Sequence, residues 1–142
     1  LQRPDLRSAE VAQAASQVAV NADVRAELLE FQRRFARRDG GAVLDGRDIG
    51  TVILPDAEVK LFVTADAAVR AQRRHKELLE GGFETSFEQV LSDVLARDTR
   101  DEGRATAPMV AAADAVVIDT SDMSTEVAIK AAISIVEKRI LS

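Results

Sequence analysis

Short apolar runs alternate with capped helical segments along this chain of 142 residues, and that alternation restricts it to an α/β architecture. The runs Ala42-Val43-Leu44, Val59-Lys60-Leu61-Phe62-Val63 and Ala115-Val116-Val117-Ile118-Asp119 read as strands. Ser8 opens a helix with apolar residues at Val11, Ala14, Ala15 and Val18. Asn21 opens a second, striped by Val24, Leu28, Phe31 and Phe35 and ending at Arg37-Arg38 before Gly40-Gly41. Asp66 starts a long polar helix to about Glu80, which Gly81-Gly82 stops. Ser86 opens a helix through Val90, Leu91, Val94 and Leu95 toward Arg104, and Ser124 opens a last one to about Ile140. Strands separated by helices predict a mostly parallel sheet. Three strands make a narrow sheet, so an incomplete one is expected.

No repeat or long linker divides the chain, and residues 1-142 are read as one unit. Its 46% hydrophobic and 30% charged residues are the balance of a soluble domain. The absence of cysteine excludes disulfides, thiolate metal sites and Cys nucleophiles, and fits a reducing compartment. Apolar runs such as Ala115–Ile118 are too short to span a bilayer, and no signal-peptide pattern opens the chain, so a cytoplasmic protein without a membrane partner is expected. The net charge of −5 argues against binding a nucleic acid polymer by bulk attraction. Yet 15 of the 19 basic residues are arginine, the side chain suited to bidentate phosphate recognition. A GC-rich genome gives the same bias, so their placement has to decide.

Arg97, Asp101 and Arg104 project from one helix face, with Arg100 beside them. This is either an exposed ion pair or an acceptor held between forked donors, the set that a ribose and phosphates require. Arg70, Arg73 and Arg74 stack on the preceding helix, where like charges repel unless an anion joins them, with Glu77 giving partial relief. Asp45-Gly46-Arg47-Asp48 follows a strand end, where open α/β sheets bind ligands; the other reading is an ordinary polar turn. The lone His75 has no partner at ligand spacing and reads as a surface residue. No metal cluster, Ser-His-Asp pattern or G-x-x-x-x-G-K phosphate loop is present in the sequence.

Taken together, Ala14-Ala15-Ser16-Gln17-Val18, Val24-Arg25 and Asp45-Gly46-Arg47-Asp48-Ile49-Gly50-Thr51-Val52 resemble the acceptor-binding signatures of bacterial cytidylate kinases. Pro55-Asp56-Ala57, Arg73-Arg74, Gly82-Phe83, Arg97-Asp98-Thr99-Arg100-Asp101, Ala107-Pro108 and Ala112-Ala113-Asp114-Ala115 follow in the family's order. The resemblance runs from about Leu6 to the C-terminus. It implies a P-loop nucleoside monophosphate kinase-like, three-layer α/β domain whose N-terminal strand and phosphate loop are not in this sequence. Residues 1-38 would be acceptor-binding helices, 66-104 a lid-type helical segment, and the remainder sheet core.

The activity implied is phosphoryl transfer from ATP, with Mg²⁺, to CMP or dCMP, giving CDP or dCDP. Ser16, Arg25, Asp48 and Arg104 would contact the base, Arg47 the CMP phosphate, and Arg97 with Asp101 the sugar. Arg73 and Arg74 would face the ATP phosphates, with Arg47, Arg74 and Arg100 as the catalytic arginines. Glu102 departs from the basic residue often found there. The intact protein is expected to be a monomer, and the chain alone to be inactive and open to self-association through unpaired strand edges. A non-catalytic module that keeps the CMP site and a kinase for another small acceptor are the competing readings.

Overall fold

The computed structural model describes residues 9–103 and 109–141. Two strands, β1 (Leu61–Thr64) and β2 (Val116–Asp119), pair in parallel with Leu61 opposite Val116 and Thr64 opposite Asp119. Five helices accompany them: α1 (Ala9–Val18), α2 (Ala22–Ala36), α3 (Ala67–Glu80), α4 (Phe87–Glu102) and α5 (Thr125–Ile140). The crossover from β1 to β2 is the α3–α4 hairpin, and α5 packs on β2. The fold is thus α/β with a short parallel sheet.

Most helix starts follow from local chemistry. Asn21 Oδ1 accepts from the backbone N–H groups of Asp23 (3.0 Å) and Val24 (3.2 Å). Ser86 and Ser124 do the same for Gln89 and Val127, satisfying donors that a first helical turn leaves unpaired. Asp66 precedes α3 as expected, but its side chain makes no capping bond. After α3, Gly82 adopts φ of 79°, a left-handed conformation that favours glycine. The helix expected to run toward Arg104 stops at Glu102; a Cβ at Gly103 would lie 2.9 Å from the Thr99 carbonyl oxygen, so the chain needs glycine there. Arg104 lies outside the described residues.

The structure corrects the first strand. Ala42-Val43-Leu44 forms none: Val43 is 97% exposed, and a single π-type turn, Ile49–Ile53, follows. A strand's hydrogen bonds all lie outside itself, and no described segment offers this run a ladder. The α2 stripe is present but open to solvent, with Leu28 and Phe31 half-exposed or more.

Burial concentrates in the hairpin. Ala71, Leu78 and Val90 are buried, with Phe87, Leu91 and Val94 packed against them. His75, expected on the surface, is instead half-buried, edge-on to the Phe87 ring, with Nε2 3.2 Å from the Thr85 carbonyl oxygen. Nearer the sheet the two helices are joined by a fork: Arg70 Nη1 and Nη2 donate to Asp98 Oδ1 (2.9 Å) and Oδ2 (2.6 Å), while Nε donates to the Ala65 carbonyl at 2.8 Å. Asp98 raises the Arg70 pKa above its ordinary value, chiefly through this hydrogen bonding. At the other end of the strands, the buried Lys60 Nζ donates to Asp114 Oδ2 (2.7 Å) and Oδ1 (2.9 Å).

Two outcomes follow. The Arg70–Asp98 pair is partly exposed, so a double-mutant cycle by urea unfolding should give a coupling of roughly 1 kcal/mol, at the top of the range for exposed pairs. Arg70→Lys should lose most of it, because an ammonium cannot form the fork; full coupling with lysine would refute the bidentate account. The Lys60 hydrogen bond lowers the Asp114 pKa in the folded chain. Its stabilisation is therefore present at neutral pH and fades as pH falls below about 4. Asp114→Asn should reduce the acid-induced loss of thermal stability, leaving a smaller fall from Asp119, whose pKa the Ser121 hydrogen bonds also lower. An unaltered acid profile would remove Asp114 from the account.

Candidate functional site

A cavity of about 310 Å³ opens between α1, the 45–48 turn and the α3–α4 hairpin. Five guanidinium groups line it: Arg47 from the turn, Arg70 and Arg74 from α3, and Arg97 and Arg100 from α4. Leu78, Val90 and Val94 supply an apolar part of the lining, and Ser16 enters from α1. Helical periodicity produces this convergence, since residues three and four apart share a face.

The arginines are held by partners far away in sequence. Asp101 is 1% exposed; its Oδ2 accepts from Arg47 Nε at 3.1 Å and lies 3.7 Å from Arg97 Nε. Of the two readings left open for Arg97 and Asp101, the exposed ion pair does not hold for the carboxylate: Asp101 is buried, and the shorter of these two contacts comes from a residue 54 positions earlier. Arg100 Nη1 donates to the buried Ser16 Oγ at 3.0 Å, joining α4 to α1. Arg74 donates to Glu77 at 2.8 Å.

Asp48 is buried beside Arg47 and pairs with Arg25 of α2, whose Nη1 also reaches the Ala19 carbonyl at 3.4 Å. Neither Asp48 nor Arg25 lines the cavity itself. Arg73 diverges from Arg74, as adjacent helical residues must at 100° per residue. It turns to the carboxyl end of β2, donating to Thr120 Oγ1 (3.0 Å) and to the carbonyls of Thr120 (2.6 Å) and Met123 (3.2 Å). The structure therefore brings Ser16, Arg47, Arg74, Arg97 and Arg100 to one cavity, sets Arg25, Asp48 and Asp101 close behind, and turns Arg73 away.

Three charged lining residues are not among the site residues expected from the sequence: Arg70, Asp93 and Asp98. Arg70 was visible as part of the arginine stack. Asp98 lies within the Arg97–Asp101 stretch that carries the resemblance, but nothing local marks its role, because its partner lies 28 residues away.

Chemically, forked cationic donors around a partly apolar cavity suit a planar organic group carrying phosphate. Among the described residues no three His, Cys, Asp or Glu side chains cluster closely enough to hold a metal ion. No described helix is long and apolar enough to cross a membrane.

Comparison with known proteins agrees with that chemistry. The family model described as cytidylate kinase matches residues 2–138. A cytidylate kinase of Xanthobacter autotrophicus is 57% identical over 134 residues, covering 94% of this chain and 64% of that relative. One from Cereibacter sphaeroides is 55% identical over 139 residues, covering 98% and 68%. One from Acidiphilium cryptum is 54% identical over 138 residues, covering 97% and 65%. The chain thus spans about two-thirds of the length of the curated relatives it matches. With the family model and these relatives matching nearly its whole length, this chain belongs to the cytidylate kinase family.

Proposed function

We propose that this chain forms the acceptor site and lid of an enzyme that transfers a phosphoryl group from ATP to CMP or dCMP, giving CDP or dCDP. The observation that carries the reading is the five-arginine cavity beside the buried Asp48 and its half-buried partner Arg25. In this reading residues 1-38 bind the acceptor, 66-104 form the lid, and the remainder is the sheet core of a three-layer kinase domain. The donor-phosphate loop comes from sequence beyond this chain, which alone binds the acceptor without turnover. The intact enzyme is a cytoplasmic monomer.

Each side chain then has a role. Asp48 accepts a hydrogen bond from the exocyclic amine of cytosine; uracil offers an acceptor there and leaves a buried carboxylate facing an oxygen. Ser16, Arg25 and Arg104 hold the rest of the base. Arg47 binds the CMP phosphate, and Arg97 with Asp101 holds the sugar. Arg74 and Arg100 stabilise charge on the phosphoryl group in flight, where transfer depends on positioning and electrostatics more than on covalent help. Arg73 is assigned to the ATP phosphates and would exchange its Thr120 and Met123 carbonyls for them on lid closure. Mg²⁺ arrives with ATP, and the described residues offer no cluster of their own to hold it.

Calorimetric titration of the chain with CMP, against UMP as control, tests the acceptor assignment. Selective CMP binding is expected, and Asp48→Ala should reduce the CMP preference by at least about tenfold. A folded chain that binds both nucleotides alike, or an Asp48→Ala variant with the preference intact, would overturn the base-reading role.

A further inference from the structure

We propose that Arg33 is a positioning residue that fixes Asp48 by clasping the far end of the turn to which Asp48 belongs. The inference rests on the reading of Asp48 as the group that selects the base. Asp48 is built into the π-type turn through its backbone: its carbonyl accepts from the N–H groups of Val52 (2.9 Å) and Ile53 (3.3 Å). A turn this short leaves the carbonyls at its end without internal partners. Arg33 meets them from α2, with Nε donating to the Ile53 carbonyl at 3.0 Å and Nη2 to the Val52 carbonyl at 3.3 Å. A cation is well matched to the negative end of a helical turn.

The same helix holds the other end. Arg25, eight residues earlier on α2, pairs with the Asp48 carboxylate. One helix therefore grips the turn twice, at the side chain of Asp48, which leads into it, and at the carbonyls of its last two residues. The side chain of Arg33 competes only weakly for other partners, with Glu30 at 3.9 Å. Ile53, whose carbonyl is clasped, is itself buried. Freed from Arg33, the turn would keep its internal bonds and shift as a body. Asp48 would then be misplaced, and Arg47 beside it, while the cavity arginines of α3 and α4 stay where their helices hold them.

Steady-state kinetics of the full-length protein with CMP and UMP tests this, because a merely structural role would lower both activities in parallel. Arg33→Ala should cut the ratio of kcat/KM for CMP over UMP by roughly tenfold, below the roughly hundredfold that a full ångström of misplacement can cost. Arg33→Lys should recover part of the ratio, and Arg34→Ala, at an exposed neighbour, should leave it unchanged. If Arg33→Ala fails to fold, Arg33→Gln, which keeps an amide donor and much of the stem, carries the same comparison. An unchanged ratio in folded Arg33 variants, with the ratio lost in Asp48→Ala, overturns the positioning role and leaves the base reading standing. An unchanged ratio in Asp48→Ala sinks the base reading and this inference with it.

Discussion

A carboxylate cut off from water must be met by donors, and Asp101, at 1% exposure, imposes that requirement on everything around it. Breaking a buried pair costs about 3–5 kcal/mol, against about 1 kcal/mol or less for exposed ones. Arg47 is 42% exposed, so the Arg47–Asp101 contact falls between these limits. It still outweighs surface pairs such as Lys76–Glu80 or Arg37–Asp56. Because Arg47 adjoins Asp48, the bond that anchors α4 also locates the turn that carries the proposed base reader.

Among the described residues few apolar side chains are buried, so polar ties carry much of the tertiary order around the cavity. Arg70–Asp98 joins α3 to α4, Arg47–Asp101 joins α4 to the turn, and Arg100–Ser16 joins α4 to α1. These ties also explain how five guanidinium groups share one cavity. Like charges at helical spacing repel, but Arg70 and Arg74 each face a carboxylate, Arg47 and Arg97 both approach that of Asp101, and Arg100 is oriented by a hydroxyl and its own helix carbonyl. The cluster is arranged in advance, which lowers the cost of ordering it around an anion.

What could be read from the sequence was local. Asn21, Ser86 and Ser124 marked three helix starts because capping is a contact between near neighbours. The α3 and α5 boundaries and the second and third strand runs were legible for the same reason. Ala42-Val43-Leu44 was misread because β-propensity becomes a strand only where a ladder exists, and no described segment provides one. The arginine faces of α3 and α4 and their same-helix partners Glu77 and Asp101 were visible from spacing, whereas partners on other elements were not. Spacing linked Arg97 to Asp101 within one helix; only the fold brings in Arg47, and only the fold separates Arg73 from Arg74.

The double grip of α2 on the 48–53 segment makes that helix a ruler. Eight residues of α-helix set Arg25 and Arg33 about 12 Å apart along the axis, and each residue turns the next by about 100°. One residue inserted between them would swing one arginine to another face, whatever its identity. Substitutions along this stretch, even at the exposed Leu28 or Phe31, leave the spacing intact. Length is therefore the quantity under constraint from Arg25 to Arg33, and a single-codon insertion there would be more disruptive than most replacements.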